Sequence, residues 1–256
     1  MKADMFSLAD KQSRKDVFGQ KPFLLFDFDG TIADSVHPMY ELFNQLAPKY
    51  GINPISQQDF SIIRSMSIPK AFKHLGIPFY KLARAIPVAL REYRKIINDL
   101  EPCAGIIPML NKLQAAGIPM ALLSSNSIEN VHLFLDKHDI QSFDWVEGTG
   151  GILKKHTKIK HQIRKHKLDR SRVIYVGDES RDIVAAQKCG IRIISVSWGF
   201  HTAEHLCSFD PDFLVNRAEE IVDLVLKNDS LLPKSQPSFT RTFQTIICAT
   251  DLFAMH

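Results

Sequence analysis

Short, almost wholly apolar runs recur along the chain at residues 23–26, 120–123, 173–176 and 191–196, each broken off by a polar residue or a glycine. Runs of that length without polar alternation suit strands buried on both faces of a parallel sheet. Helical periodicity lies between them, over 106–116 closed by Gly117 and Pro119, and over 182–189 closed by Gly190, where a left-handed cap is predicted. Strand and helix therefore alternate, which predicts an α/β fold with a doubly wound, Rossmann-like parallel sheet.

The pattern changes after the first run. From about residue 36 to residue 100 the apolar residues follow helical spacing, as in Leu42, Phe43 and Leu46 and again in Leu82, Ile86, Leu90, Tyr93 and Ile97, with Pro48, Pro54, Pro69, Pro78 and Pro87 as punctuation. No strand is predicted there, so residues 37–100 read as a helical cap inserted into a core made of 21–36 and 101–228. Residues 1–20 are polar and aperiodic and read as an N-terminal tail. Residues 229–256 open on a turn-rich stretch and are expected to be a poorly ordered C-terminal extension.

Composition bounds this picture without changing it. The 256 residues are 45% hydrophobic and 23% charged, enough for one substantial core plus an accessory domain, which excludes a wholly disordered chain. Lys and Arg number 32 against 28 Asp and Glu, a mildly basic balance that suits anionic ligands and requires no nucleic acid. Cys103, Cys189, Cys207 and Cys248 are scattered, with neither zinc-finger spacing nor a disulfide framework. No run of about 18 apolar residues and no leader-like N-terminus is found, so a soluble, cytoplasmic protein without a membrane partner is expected.

The residues that carry chemistry follow the apolar runs. Asp27-Phe28-Asp29-Gly30-Thr31 comes directly after the first, where open parallel sheets bind ligands in the crevice at the strands' carboxyl ends. Two carboxylates so close repel each other, which favours a bound cation or a shared proton. Taken alone, the pentad is also compatible with an exposed Asp-Gly turn. Ser124, Ser125 and Asn126 follow the second run, and Gly177-Asp178 follows the third.

This arrangement resembles the haloacid dehalogenase superfamily of phosphatases, in its phosphoglycolate phosphatase-like branch with a helical cap. The resemblance covers roughly residues 21–226, including Ser197-Trp198-Gly199-Phe200 and the segment 211–215. It implies Asp27 as nucleophile, Asp29 as general acid and base, Ser124 as a phosphoryl-oxygen ligand and Lys155 as the cation facing the phosphate. Lys154 is the fallback register for that lysine, since this chain departs there from the glycine that many relatives have. Asp27 and Asp178 through carboxylates and Asp29 through its carbonyl are expected to bind Mg2+, which takes oxygen ligands. Thr31, Ser125, Asn126 and Asp182 are expected to support the site. Lys158, Lys160, Arg164, Lys165 and Lys167 continue past Lys155, but Ile159, Ile163 and Leu168 form an apolar stripe among them, so a solvated helix face is predicted.

The implied activity is magnesium-dependent hydrolysis of a small phosphorylated metabolite, phosphoglycolate-like or a sugar phosphate, through an aspartyl-phosphate. A phosphomutase of the same superfamily and a non-enzymatic phosphoacceptor module are the alternatives; Asp29, which would hasten loss of the phosphate, speaks against the second. His37, Met39, Tyr40 and Arg64 are candidates for lining the cleft from the cap.

Overall fold

The structure, a computed structural model, describes residues 21–148 and 155–227; the two terminal segments and the stretch containing Lys154 lie outside the described residues. Six strands form one wholly parallel sheet: β1 (Phe23–Phe26), β2 (Met120–Ser124), β3 (Trp145–Gly148), β4 (Val173–Gly177), β5 (Arg192–Val196) and β6 (Phe213–Val215). Their order is β3-β2-β1-β4-β5-β6, the doubly wound arrangement expected from the sequence. The four strands read from the apolar runs are central, whereas β3 and β6 are the edges. Edge strands are only partly covered, so Trp145-Val146-Glu147-Gly148 keeps a charge and the three-residue β6 is too short to form a distinct run.

Side chains alternate across the sheet and build two cores. On one face Leu24, Phe26, Leu122, Ile174 and Val176 meet α5 (Ile106–Ala115), α6 (Ile128–Lys137) and α10 (Ala218–Lys227). On the other, Leu25, Ala121, Leu123, Tyr175 and Ile193 meet α7 (Lys155–Lys165), α8 (Ser180–Cys189) and α9 (Ala203–Cys207). Gly190 closes α8 at φ 64°, the left-handed cap its sequence predicts. The basic stretch after Lys155 lies on α7 as far as Lys165, with Ile159 and Ile163 buried beneath it, and Lys167 follows the helix end.

Between β1 and α5 the chain forms four more helices, α1 (Val36–Leu46), α2 (Gln57–Ile63), α3 (Ile68–His74) and α4 (Phe79–Ile96). They have a small core of their own, where Ile55, Ile63 and Ala71 pack with Tyr40, Phe43 and Phe60. Pro87 lies inside the 18-residue α4 and does not end it. The apolar stripe also falls differently: Leu82 and Tyr93 are buried, but Ile86 and Leu90 face solvent. Half-buried Ala85 and Ala89 take the intervening inward positions. Leu82 and Tyr93 belong to both stripes at helical spacing, so periodicity alone could not choose between alanines and larger residues on the same helix.

The two chain crossings into this helical segment lie side by side. Asp34 donates its N–H to the Glu101 carbonyl (2.8 Å), and Cys103 donates to Ile32 (2.9 Å), so entry and exit form one hydrogen-bonded junction. Among the described residues no helix is long and apolar enough to cross a membrane, and Cys103 and Cys189 are free thiols; Cys248 lies outside them.

Phe28 ties this frame to the chemistry. Its buried ring meets Phe134 of α6 edge-to-face at 5.1 Å, so the residue between Asp27 and Asp29 is held by the core. Phe134→Ala is expected to lower unfolding free energy by about 3–5 kcal/mol. Urea denaturation measures this, and unchanged stability would contradict the packing role.

Candidate active site

Strand order brings the predicted residues together. β1 lies between β2 and β4, so Asp27, Ser124 and Asp178 end or follow three adjacent strands. The Asp27 N–H still donates to Val176 (2.8 Å), which keeps the nucleophile candidate in register with the strand that precedes Asp178. The chain then turns at Gly30 (φ 72°), whose N–H donates to Ala33 and to the Ser35 hydroxyl. A Cβ at Gly30 would lie 2.2 Å from Asp178 Oδ2, and one at Gly199 would lie 2.2 Å from Asp178 Cβ. Both glycines therefore make room for one carboxylate.

One oxygen from each of Asp27, Asp178 and Asp182 lies within 4.8 Å of the others, and all three residues are buried. Lys155 donates its ammonium to Asp27 Oδ2 at 2.5 Å and also to Asp182 Oδ1. Asp182 Oδ2 accepts from the Glu179 N–H (3.1 Å), a reciprocal cap at the start of α8. Asp178 is held by the Thr31 hydroxyl (3.0 Å to Oδ1) and by the Phe200 N–H (2.7 Å to Oδ2).

The charges of this group are unequal. Burial pushes the Asp27 and Asp178 carboxyls above their usual range, with neighbouring carboxylates adding to the rise in both. Burial works against the Lys155 ammonium, but Asp182 and Asp27 outweigh it and hold that group well above its ordinary range. Arg181 is paired with Glu179 (2.5 Å) and brings no net charge. Three carboxyl groups face one ammonium, an oxygen-rich and acid-rich set that a divalent cation fits in charge and in oxygen chemistry.

The Asp29 carboxylate faces other partners. Its Oδ1 accepts from the Tyr93 hydroxyl of α4, and its Oδ2 accepts from Asn126 Nδ2 at 3.4 Å. Burial lifts its carboxyl to about 6, although the Tyr93 hydrogen bond pulls the other way. Ser124 is buried and its Oγ accepts from the Asn126 N–H (2.9 Å). Asn126 Oδ1 in turn accepts from Asn130 (2.9 Å) and from the Ser127 N–H (2.9 Å), so the residue after half-buried Ser125 is locked in place.

The helical segment reaches this end of the sheet at a second place. Arg64 donates from Nε and Nη2 to the Phe200 and Gly199 carbonyls, both at 2.8 Å, and Thr202 donates back to the Arg64 carbonyl (3.1 Å). His201 accepts from the Ser180 N–H at Nδ1 (3.0 Å) and donates from Nε2 to the Met66 carbonyl (2.8 Å), the arrangement of a neutral ring. Of the other cap candidates, His37 pairs with Glu41 in solvent, Met39 is exposed, and Tyr40 donates to the Ile55 carbonyl inside the helical segment. Tyr93 and His201 were not singled out as site residues by sequence. Tyr93 looked like any apolar member of a helix stripe, and His201 stands alone in a loop.

Residues 24–196 match the haloacid dehalogenase-like hydrolases, and the chain belongs to that family. Within it the protein stands with the phosphoglycolate phosphatase-like enzymes. A phosphoglycolate phosphatase of Synechococcus elongatus is 29% identical over 203 residues, covering 79% of this chain and 96% of the relative. The fold also matches a predicted phosphatase from Clostridium acetobutylicum (TM-score 0.69, 20% identity, 81% of this chain and 99% of that one). A haloacid dehalogenase-like family hydrolase from Streptococcus pneumoniae matches at TM-score 0.68 and 21% identity, over 80% of this chain and 98% of that one.

The buried His201 makes the junction sensitive to acid. Burial depresses its ring to about 4, so between about 6.5 and 4 the unfolded chain binds a proton that the folded protein does not. Stability should therefore fall as pH drops through that window, by at most about 3 kcal/mol from this residue. Denaturation from pH 7 to pH 4 tests this, and His201→Gln should flatten the slope; an unchanged slope would contradict the assignment.

Proposed function

We propose that the protein is a magnesium-dependent phosphomonoester hydrolase acting on a small phosphorylated metabolite through an aspartyl-phosphate on Asp27. The observation that carries this reading is the buried Asp27 carboxylate, joined to Lys155 and to Asp178 at one oxygen-lined point, with a differently tuned Asp29 two residues away. Two carboxylates in two environments suit nucleophile and acid–base roles. The Synechococcus relative supports phosphoglycolate or a similar small phosphate as substrate class.

In the first displacement an Asp27 oxygen bonds to phosphorus while the bond to the leaving oxygen breaks, and Asp29 gives that oxygen its proton. In the second, Asp29 takes a proton from water as the water oxygen bonds to phosphorus and the Asp27–phosphorus bond breaks. A carboxyl near 6 is available in both states around neutrality. Lys155 offsets charge on Asp27 and on the phosphoryl oxygens, and Ser124 with nearby backbone N–H groups holds one of those oxygens. Thr31, Asn126 and Asp182 orient Asp178, Asp29 and Lys155 respectively. A bound Mg2+, held by Asp27, Asp178 and the Asp29 carbonyl, would neutralise charge as a Lewis acid. The helical segment between β1 and α5 is assigned the part of a lid over the crevice, turning about the junction between Asp34 and Glu101.

Asp27→Asn is expected to cut turnover of an active phosphate by more than about a thousandfold while leaving the circular-dichroism spectrum unchanged. Labelled phosphate trapped on a residue other than Asp27 would refute the mechanism. Excess chelator should abolish activity and added Mg2+ restore it, with Asp178→Ala raising the Mg2+ concentration needed; full activity in chelator would overturn the metal assignment. A panel of phosphoglycolate, sugar phosphates, nucleotides and pyrophosphate identifies the substrate, and hexose phosphate isomerisation in place of phosphate release would favour a mutase.

A further inference from the structure

We propose that Tyr93 is a positioning residue for Asp29, so that the helical segment and not the sheet completes the acid–base group. This rests on the acid–base reading of Asp29 given above. Outside α4 the carboxylate has the Asn126 amide, which donates to Oδ2 at 3.4 Å, near the outer limit of a hydrogen bond, and the Ser35 hydroxyl. Tyr93 donates to Oδ1 from the penultimate turn of α4, and its ring is only 5% exposed.

The ring's placement makes the hydroxyl a rigid donor. Tyr93 packs in the main core beside Ile97 and Leu100, which immediately precede the junction where Glu101 accepts from Asp34. A phenol ring has two side-chain torsions, and burial in the core fixes where its oxygen sits. A buried hydroxyl needs one partner, and backbone carbonyls commonly serve. Here the partner is the second aspartate of the Asp-x-Asp pair.

The consequence is chemical. With Oδ1 engaged by Tyr93, Oδ2, whose contact from Asn126 is long, is the oxygen placed to hand a proton to the leaving group and take one from water. Removing the hydroxyl frees the carboxyl to rotate, and the loss should scale with how much the leaving group needs protonation. An alkyl leaving oxygen needs it strongly, whereas a nitrophenolate leaves without help. Tyr93 also belongs to the helical segment, so any displacement of α4 from the sheet separates donor from acceptor and couples the acid–base group to the seating of that segment.

The test uses the full chain with Mg2+ and two probes, phosphoglycolate and p-nitrophenyl phosphate, compared by kcat/KM so that only steps up to leaving-group release count. Tyr93→Phe keeps the ring in the core, and is expected to lower kcat/KM for phosphoglycolate about 10- to 100-fold and for the aryl ester less than about threefold. Asp29→Asn should show the same selectivity more strongly, and Tyr93→Phe added to Asp29→Asn should cost nothing further, because the tyrosine acts through that carboxylate. Equal losses on both probes from Tyr93→Phe, or multiplying losses in the double variant, would overturn the proposal and leave Tyr93 a packing residue. Equal losses on both probes from Asp29→Asn itself would remove the acid–base reading of Asp29, and the proposal with it.

Discussion

The Lys155 ammonium between Asp27 and Asp182 is the contact on which the rest of the site depends. Burying a carboxylate is costly, and burying three within a few ångströms adds mutual repulsion. One lysine from the start of α7 bridges two of them and leaves the third, Asp178, to be held by the Thr31 hydroxyl and the Phe200 N–H. The remaining excess of carboxyl groups over ammonium is a property of the fold, and its charge and oxygen chemistry fit a divalent cation.

Such crowding is possible because small residues stand where side chains would collide. Gly30 and Gly199 approach Asp178 from two loops, and a Cβ at Gly177 would lie 2.4 Å from Asp182 Oδ2. The carboxyl ends of β1 and β4 thus leave no room for a Cβ at these three glycines. In an interior so dense, a shift in one loop is passed to its neighbours, and the loop at residues 199–202 touches both Asp178 and Arg64. The acidic cluster and the helical segment therefore share a wall.

The helical segment meets the sheet at points of different character. The Arg64 fork and the neutral His201 ring hold backbone carbonyls and set where the segment sits. Tyr93 reaches the Asp29 carboxylate. The paired crossings at Asp34 and Glu101 bring the entry and exit of the segment to one hydrogen-bonded junction.

Sequence alone determined the parts whose cause is local. Apolar runs ending in Asp27, Ser124 and Gly177-Asp178 specify buried parallel strands and the chemistry at their tips, because strand periodicity and turn residues are written within a few positions. The two edge strands escaped notice, being partly exposed or very short. Tertiary structure decided what depends on contacts between distant positions: which α4 face turns inward, the 64-residue separation bridged by Tyr93 and Asp29, and the 135-residue separation bridged by His201 and Met66. A tyrosine in a helix stripe and a lone loop histidine carry no local mark of such roles, since a hydrogen-bond partner is assigned only when the chain has brought both groups to the same place.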